Sequence, residues 1–305
     1  MFPEALAERP FTTATARAHG LDAHELRRLV RDGIIRRQVR GTYIAVTVPD
    51  TTENRCAAAA LVIHSSAVIC DRTAAWIWGV GDPDPTAPSP PLDVILLRGK
   101  GRARRDGCVS GERDLTDRDV VFLHGLRITS PLRTALDLAC RSRRRDALAV
   151  IEGFMREHGL TRQELQRELV RFFRRRGVVQ ARELVGIADP RSESPGESWV
   201  RLELHDRGFE LPVPNQWVYD DAVAVYRLDL PWIREKVAVE YDGRRFHGED
   251  ATAHDEQRRA WLARRGWTIH VVHAEDFSSE ERIDGWVHEV RADLDEARAR
   301  RRTAG

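Results

Sequence analysis

Apolar residues recur at helical spacing over the first thirty positions and then give way to a short basic stretch. Phe11 to His19 is predicted as one helix, and Ala23 to Arg31 as a second helix whose N-cap is Asp22. The stretch from Ile34 to Ile44 predicts two strands joined by a basic, glycine-containing turn. Two helices and a hairpin over residues 1–48 are typical of a winged helix-turn-helix.

The middle of the chain, residues 50–190, mixes strand and helix patterns. The predicted helices are Cys56 to His64, Thr73 to Trp78 and most of Leu132 to Ile187; the predicted strands are Leu92 to Leu97, Val120 to Leu123 and Leu126 to Thr129. A Pro-rich loop covers Asp82 to Pro91. No catalytic constellation is evident, and we interpret four scattered polar residues as structural: His64, Asp71, Arg72 and His124.

A polar stretch around residues 188–196, with two X-Pro steps, indicates a domain boundary. Beyond it the pattern predicts a helix from Glu197 to Arg207 and strands at 215–220, 223–230 and 236–242. A basic helix from Asp255 to Arg265, a buried strand and a charged helix complete it. We therefore predict an α/β chain (α+β multidomain) with domains at 1–48, 50–190 and 191–305.

Total charge does not identify a partner, because 49 basic residues face 48 acidic ones. The distribution of arginine is more informative, since its guanidinium suits bidentate phosphate contact. On the winged segment we predict that arginines of the second helix enter the major groove of double-stranded DNA and that those of the hairpin contact phosphates or the minor groove. These residues are Arg27, Arg28 and Arg31 on the helix, and Arg36, Arg37 and Arg40 on the wing. The alternative is a small helical cap with solvated arginines.

Cysteine spacing and hydropathy indicate the compartment. Cys56, Cys70, Cys108 and Cys140 lie far apart without a CxxC pair, which argues against a zinc ribbon and a disulfide framework. No stretch approaches the ~20 apolar residues of a membrane span, and the start lacks a signal-peptide pattern. We expect a cytoplasmic protein without a membrane partner.

Two apolar strand patterns near the C-terminus contain acidic residues at positions where a half-buried sheet usually has Val or Thr. Glu240 and Asp242 point to one face, because side chains alternate along a strand, and Asp229 on the adjacent strand can lie opposite them. Carboxylate oxygens of this kind bind Mg²⁺ or Mn²⁺, which can activate water against a phosphodiester. Alternatively, Asp242-Gly243 is a hairpin turn whose acids pair with Arg244 or Arg245.

Two further side chains are candidates for this chemistry. His247 can serve as a general acid or base, or position water, because histidine titrates near neutrality. It can equally be a surface histidine in a polar loop. Arg258 and Arg259 can neutralise a scissile phosphate or form ordinary helix surface.

The segments RLDLPW, VEYDG with His247, and DEQRRAWLARRGWTIHVV resemble the very-short-patch-repair-like branch of the PD-(D/E)xK nuclease superfamily. The resemblance implies a restriction-endonuclease-like mixed sheet flanked by helices. It also implies Asp229 and Glu240 as metal ligands, with Glu197 on the leading helix completing or tuning the site. The superfamily lysine two residues after the second acid is replaced by Asp242.

The N-terminal segment, CDRTAAWIWG and GLRITSPLRTALDLA resemble AbiEi-type antitoxins, the transcription-regulating partners in abortive-infection toxin–antitoxin systems. This resemblance implies a cognate toxin as a partner. The sequence thus supports two hypotheses. One is a Mg-dependent DNA endonuclease guided by a winged helix. The other is a non-catalytic transcriptional regulator of the antitoxin type.

Overall fold

The computed structural model describes residues 2–64, 67–81, 92–97, 108–243 and 249–304. Its mixture of helices and sheets confirms the predicted α/β (α+β) class. The chain divides into two compact units, Met1–Cys140 and Arg141–Gly305. The finer division into three domains at 1–48, 50–190 and 191–305 stays a prediction.

The first unit begins with the predicted winged arrangement of two helices and a small sheet. Its elements are β1 (Phe11–Thr12), α1 (Thr13–Ala18), α2 (Ala23–Arg31), β2 (Ile35–Arg37) and β3 (Thr42–Ala45). The strands are antiparallel in the order β1-β3-β2. As predicted, Asp22 caps α2, in a capping box with Glu25.

The prediction of a helix from Phe11 was wrong by two residues. Phe11 pairs with Tyr43 across the sheet, and their rings stack at 5.9 Å between centroids. The helix starts only after Thr12, whose hydroxyl accepts a hydrogen bond from the backbone N–H of Thr15. Burial of Phe11 against Tyr43 therefore overrides the local helical pattern.

The rest of the first unit is a five-stranded mixed sheet with helices against it. Its elements are α3 (Thr52–Ala60), β4 (Val68–Ile69), α4 (Asp71–Ile77), β5 (Leu92–Leu97), β6 (Cys108–Arg113), β7 (Val120–Leu123), β8 (Leu126–Thr129) and α5 (Pro131–Arg141). The strand order is β6-β5-β4-β8-β7. The predicted β7–β8 hairpin is confirmed, with His124 and Gly125 both in the left-handed region (φ 45° and 79°) that a type I′ turn requires. The Pro-rich loop Asp82 to Pro91 lies outside the described residues.

Buried charged side chains link β6 of this sheet to α4 and α5. The Arg113 guanidinium donates to both Asp71 and Asp137, and Arg133 Nε donates to Asp137 at 2.8 Å. Arg133 and Asp137 are each only 2% exposed, so each charge requires the other. The ion pair gives Asp71 the structural role that the sequence predicted.

The second unit holds a helical group followed by a second mixed sheet. Its elements are α6 (Arg144–His158), α7 (Arg162–Glu168), α8 (Val178–Ile187), α9 (Pro195–Asp206), β9 (Gln216–Asp220), β10 (Val223–Leu228), β11 (Leu230–Trp232), β12 (Val237–Asp242), α10 (Glu249–Arg264), β13 (Thr268–His273) and α11 (Glu280–Ala304). β9 and β10 form an antiparallel hairpin. The second sheet has the order β11-β12-β13, with β11 antiparallel and β13 parallel to β12.

Alternation along β12 sets the layers of this unit. Val239 belongs to a core with Val200 of α9 and Val290 of α11, whereas Ala238 packs with Leu262 of α10 on the other face. The sheet is therefore flanked by helices, as predicted. The predicted strand over 223–230 was too long, because β10 ends at Leu228 and β11 begins at Leu230.

A buried ion pair joins α6 to α9. Arg201 Nη1 donates to the Glu152 carboxylate, which also accepts from Ser198 Oγ at 2.5 Å and from the Asp189 backbone N–H at 2.9 Å. Burial raises the pKa of Glu152, and the Arg201 charge opposes that shift.

Within the part of the chain that the structure describes, no helix combines the length and apolar character needed to cross a membrane.

Replacement of Arg201 should reveal this dependence. We expect Arg201→Met to lower the unfolding free energy by about 3 kcal/mol, because it leaves the Glu152 carboxylate buried without its cation. The matched change Arg227→Met breaks the exposed pair with Glu193 and should cost less than about 1 kcal/mol. Denaturant titration of both variants measures the difference; equal losses would contradict the assignment.

Candidate functional site

The helix arginines of the winged segment face solvent. On α2, Leu26 and Leu29 are buried in the core of the segment, and the opposite face presents Arg27, Arg28 and Arg31, all exposed. The only ion pair on this face is the loose contact between Arg31 and Asp32 at 3.7 Å, among the residues that the structure describes. The face is therefore available to a polyanion.

The wing arginines divide into two groups. Arg37 and Arg40 are exposed, with the Arg37 guanidinium 5.8 Å from the centre of the Tyr43 ring. Arg36 donates to the carbonyl oxygens of Val46 at 3.1 Å and Val48 at 2.7 Å, and its contact with DNA stays a prediction. Its guanidinium therefore links the wing to the segment that follows β3.

A second site forms where β10 passes into β11. Asp229 precedes Leu230, which pairs with Val239, so the antiparallel register sets Asp229 beside Glu240. The Asp229 carboxylate accepts a hydrogen bond from the Tyr241 backbone N–H at 3.0 Å. Two of the predicted site residues, Glu197 and Glu240, lie close enough to a third, Asp229, that their charges act on it.

Glu197 reaches this site from the first turn of α9. It is 7% exposed, and its Oε2 accepts from the Glu193 backbone N–H at 2.9 Å and from Asn215 Nδ2 at 2.7 Å. The Asn215 backbone N–H donates to the Asp229 carbonyl oxygen at 2.7 Å. Asn215 thus connects the Glu197 carboxylate to the backbone of Asp229.

Electrostatics distinguish the three carboxylates. Burial raises the pKa of Asp229 to about 7, and the negative charges of Glu197 and Glu240 push it in the same direction. The Tyr241 N–H and the Arg258 charge act against this shift. Asp229 is therefore a carboxyl group that exchanges a proton near neutral pH.

Glu240 is already neutralised by a cation. Arg258 of α10 donates to both of its carboxylate oxygens, at 2.8 Å to Oε2, and its guanidinium also reaches the Arg227 carbonyl oxygen. The contact of Arg258 with DNA stays a prediction; in this structure its guanidinium binds the Glu240 carboxylate. A divalent cation at Glu240 has to compete with this bidentate pair.

Asp242, the third predicted metal ligand, ends β12 two residues after Glu240, and its role as a ligand stays a prediction. The backbone oxygen of Asp242, at the end of β12, is 3.2 Å from His273 Nδ1. His247, Arg244 and Arg245 lie outside the described residues. Among the residues that are described, one group has potential metal-ligand atoms that all lie within 4.8 Å of one another: Glu183, His205 and Asp206. Both of its carboxylates form ion pairs with Arg144.

Two contributors to the carboxylate site were missed from the sequence. Asn215 has φ 55°, and its dual contacts depend on a turn that no local pattern predicts. A Cβ at Gly196 would lie 2.0 Å from the Tyr241 ring, so a glycine is required before Glu197 for α9 to approach β12. The run Pro195-Gly196-Glu197 at a helix start was the available signal.

Comparison with known proteins finds two family matches, both within the first 187 residues, and relatives that cover most of the chain. Residues 67–187 match the family described as AbiEi antitoxin C-terminal domain, and residues 2–46 match the one described as Transcriptional regulator, AbiEi antitoxin. Two Mycobacterium tuberculosis proteins, from strains CDC 1551 / Oshkosh and ATCC 25618 / H37Rv, each named as uncharacterized, are 31% identical to this chain over 252 residues, which is 82% of this chain and 90% of theirs. The AbiEi resemblance is confirmed; the nuclease resemblance of residues 191–305 stays a prediction.

The raised pKa of Asp229 predicts a pH dependence of stability. Between about pH 4 and pH 7 the Asp229 carboxyl keeps its proton in the folded protein, whereas in the unfolded chain it loses the proton above its ordinary pKa of 3.8. The contribution of Asp229 to the unfolding free energy therefore falls as the pH rises through this range, and it is constant above pH 7. Asp229→Asn keeps an oxygen that accepts the hydrogen bond from the Tyr241 backbone N–H, and it removes the pH-dependent loss of stability because the amide does not titrate. We expect the variant to gain up to about 4 kcal/mol over the parent above pH 7, and nothing at pH 4.

Denaturant titration across this range in a chelating buffer checks the difference. Asp221→Asn, at an exposed acid of the β9–β10 turn, is the control and should track the parent at every pH. If the unfolding free energies of Asp229→Asn and the parent change with pH in parallel, the Asp229 carboxyl does not have a raised pKa, and the assignment is wrong.

Proposed function

We propose that this chain, which belongs to the same family as the two Mycobacterium tuberculosis proteins and contains AbiEi antitoxin domains, is a DNA-binding transcriptional regulator of the antitoxin type. Its partners are double-stranded DNA and a cognate toxin. The single observation that carries the proposal is the exposed arginine face of α2 beside the wing, on a segment that matches the AbiEi regulator family.

The geometry of the winged segment supports groove binding. The capping box at Asp22 fixes the start of α2, and the buried Leu26 and Leu29 orient its arginines outward. A helix presented in this way fits the major groove, where Arg binds guanine edges or phosphates. Arg37 and Arg40 extend the same positive surface along the wing.

The antitoxin part of the proposal is supported by the match over residues 67–187. In this proposal one chain both regulates transcription, through the winged segment, and neutralises the cognate toxin. Buried ion pairs centred on Arg113 and Arg133 hold β6 and α5 together within this matched region.

The test is binding to DNA from the promoter of this gene. The double variant Arg27→Ala/Arg28→Ala should weaken binding by about tenfold or more, because two cationic contacts are lost. The slope of log affinity against log salt should fall by about 0.9 for each phosphate contact removed. Fluorescence anisotropy at several salt concentrations measures both quantities.

Two further variants sharpen this experiment. Asp229→Ala lies in the second unit and should leave affinity and slope unchanged. Arg36→Ala removes the bonds to Val46 and Val48 and should lower thermal stability while keeping the parental salt slope. Absence of saturable promoter binding by the parent protein, or equal loss in Asp229→Ala, would rule the proposal out.

A second candidate is a Mg- or Mn-dependent endonuclease. It is favoured by the gathering of Glu197, Asp229 and Glu240 at the junction of β10 and β11, since oxygen donors suit these cations. The donor types fit a divalent ion, but Glu240 is bound to Arg258, and the lysine position of the superfamily is Asp242. This candidate therefore ranks below regulation.

Plasmid nicking in Mg²⁺ tests the second candidate. If it is correct, the parent protein converts supercoiled plasmid to open circles, and Glu240→Ala reduces this to background. Glu281→Ala, at an exposed acid of α11, is the matched control and should nick like the parent. Cleavage by Glu240→Ala at the parental rate, or no cleavage in either metal, would eliminate it.

A further inference from the structure

An exposed histidine lies on the same face of α2 as its arginines. His24 stands in the first turn of the helix, whereas Leu26 and Leu29 on the opposite face are buried in the core of the winged segment. Side chains spaced i, i+3, i+4 and i+7 along a helix share one face. Four exposed residues have this spacing: His24, Arg27, Arg28 and Arg31. His24 therefore belongs to the surface that α2 presents to DNA.

The order of the helices places His24 at one particular end of this surface. α1 and α2 are joined through residues 19–22, and the hairpin of β2 and β3 follows them. In a helix-turn-helix the second helix lies in the major groove and its N-terminal residues contact the edges of the bases, while the first helix crosses the backbone. Because His24 is in the first turn of the second helix, it takes the position next to the base edges in such a complex.

A capping box fixes the backbone at this position. The Asp22 carboxylate accepts hydrogen bonds from the backbone N–H groups of His24 at 2.7 Å and Glu25 at 2.8 Å, and Glu25 Oε2 accepts one from the Asp22 N–H at 2.9 Å. Within the residues that the structure describes, no hydrogen bond occupies the His24 imidazole. The helix thus holds the backbone of His24 in place and leaves both ring nitrogens to a ligand.

The charge on α2 changes from its first turn to its last. The carboxylates of Asp22 and Glu25 flank His24, whereas the later turns carry the arginines as far as Arg31. Phosphates are therefore attracted to the later turns and repelled from the first. At the rise of an α-helix, His24 and Arg31 are about 10.5 Å apart along the axis, close to the ~12 Å width of the major groove. With Arg31 at a phosphate on the groove edge, His24 can reach the bases.

We propose that His24 reads a guanine in the major groove of the DNA site, and that the arginines of α2 supply affinity for the phosphates around it. An imidazole N–H is a hydrogen-bond donor. Guanine presents two adjacent acceptors, O6 and N7, at its major-groove edge, whereas adenine has a donor beside its acceptor. The inference rests on the proposed function and deepens it, because it names the base that the regulator recognises and the residue that recognises it.

Fluorescence anisotropy at pH 8, above the range in which histidine usually titrates, tests this assignment. The DNA probes are duplexes that cover the footprint of the parent protein on the promoter of this gene, each with one base pair changed. The parent should lose about tenfold in affinity when one particular G·C pair is changed. His24→Ala should bind the promoter duplex and that changed duplex equally, with the parental salt slope, because it removes no cation.

A second substitution gives a readout that a purely structural role would not produce. His24→Asn should prefer A·T over G·C at the same pair, because the Asn amide matches the donor and acceptor of adenine. Both variants keep the backbone N–H that donates to Asp22, so the capping box stays intact. His124→Asn, the same change at an exposed histidine of the β7–β8 turn, is the control and should keep every base preference of the parent.

Several results would overturn the proposal. His24→Ala that discriminates between bases like the parent, or His24→Asn that keeps the guanine preference, excludes His24 as the base-reading residue. A uniform loss of affinity in His24→Ala together with a smaller salt slope makes it a phosphate contact instead. A parent protein that binds all duplexes equally excludes this inference while DNA binding stands, whereas one that binds none of them removes the proposed function as well.

Discussion

Guanidinium groups held by oxygen acceptors organise both units of this protein. Arg113 and Arg133 hold buried aspartates under the first sheet, and Arg201 holds Glu152 between α6 and α9. Each of these charges would be costly to bury alone, so the pairs require the elements that carry them to stay together. Where such an acceptor is present, arginine is structural; where none is present, it remains available to a partner.

This distinction separates the two candidate sites. The α2 arginines have exposed guanidinium groups on a well-capped helix, a surface suited to DNA. At the carboxylate site the cation is already supplied from within, because Arg258 binds Glu240. The structure thus offers a ready contact surface in the first unit and a partly neutralised cluster in the second. Transcriptional regulation requires only the DNA-contact surface of the first unit.

The sequence predicted what depends on local pattern. Alternation along β12 correctly set Glu240 apart from the core residue Val239, and the capping box at Asp22 marked the start of α2. Asp229 was also correctly set opposite Glu240, but other partners distant in sequence were not predicted. The strand at Phe11 exists only because Tyr43 packs on it, and the partners of Arg36 and Arg258 lie 9 or more residues away in sequence. The sequence shows where the arginines are, but it does not show which oxygen acceptors their guanidinium groups bind in the folded protein.

Hydrogen–deuterium exchange of the full chain, with and without its own promoter duplex, tests the central claim most directly. The account predicts that DNA slows exchange in peptides covering α2 and the wing, residues 23–45, while peptides covering β11 and β12 exchange as before. Protection confined to the second unit, or no protection in the winged segment at saturating DNA, would contradict it.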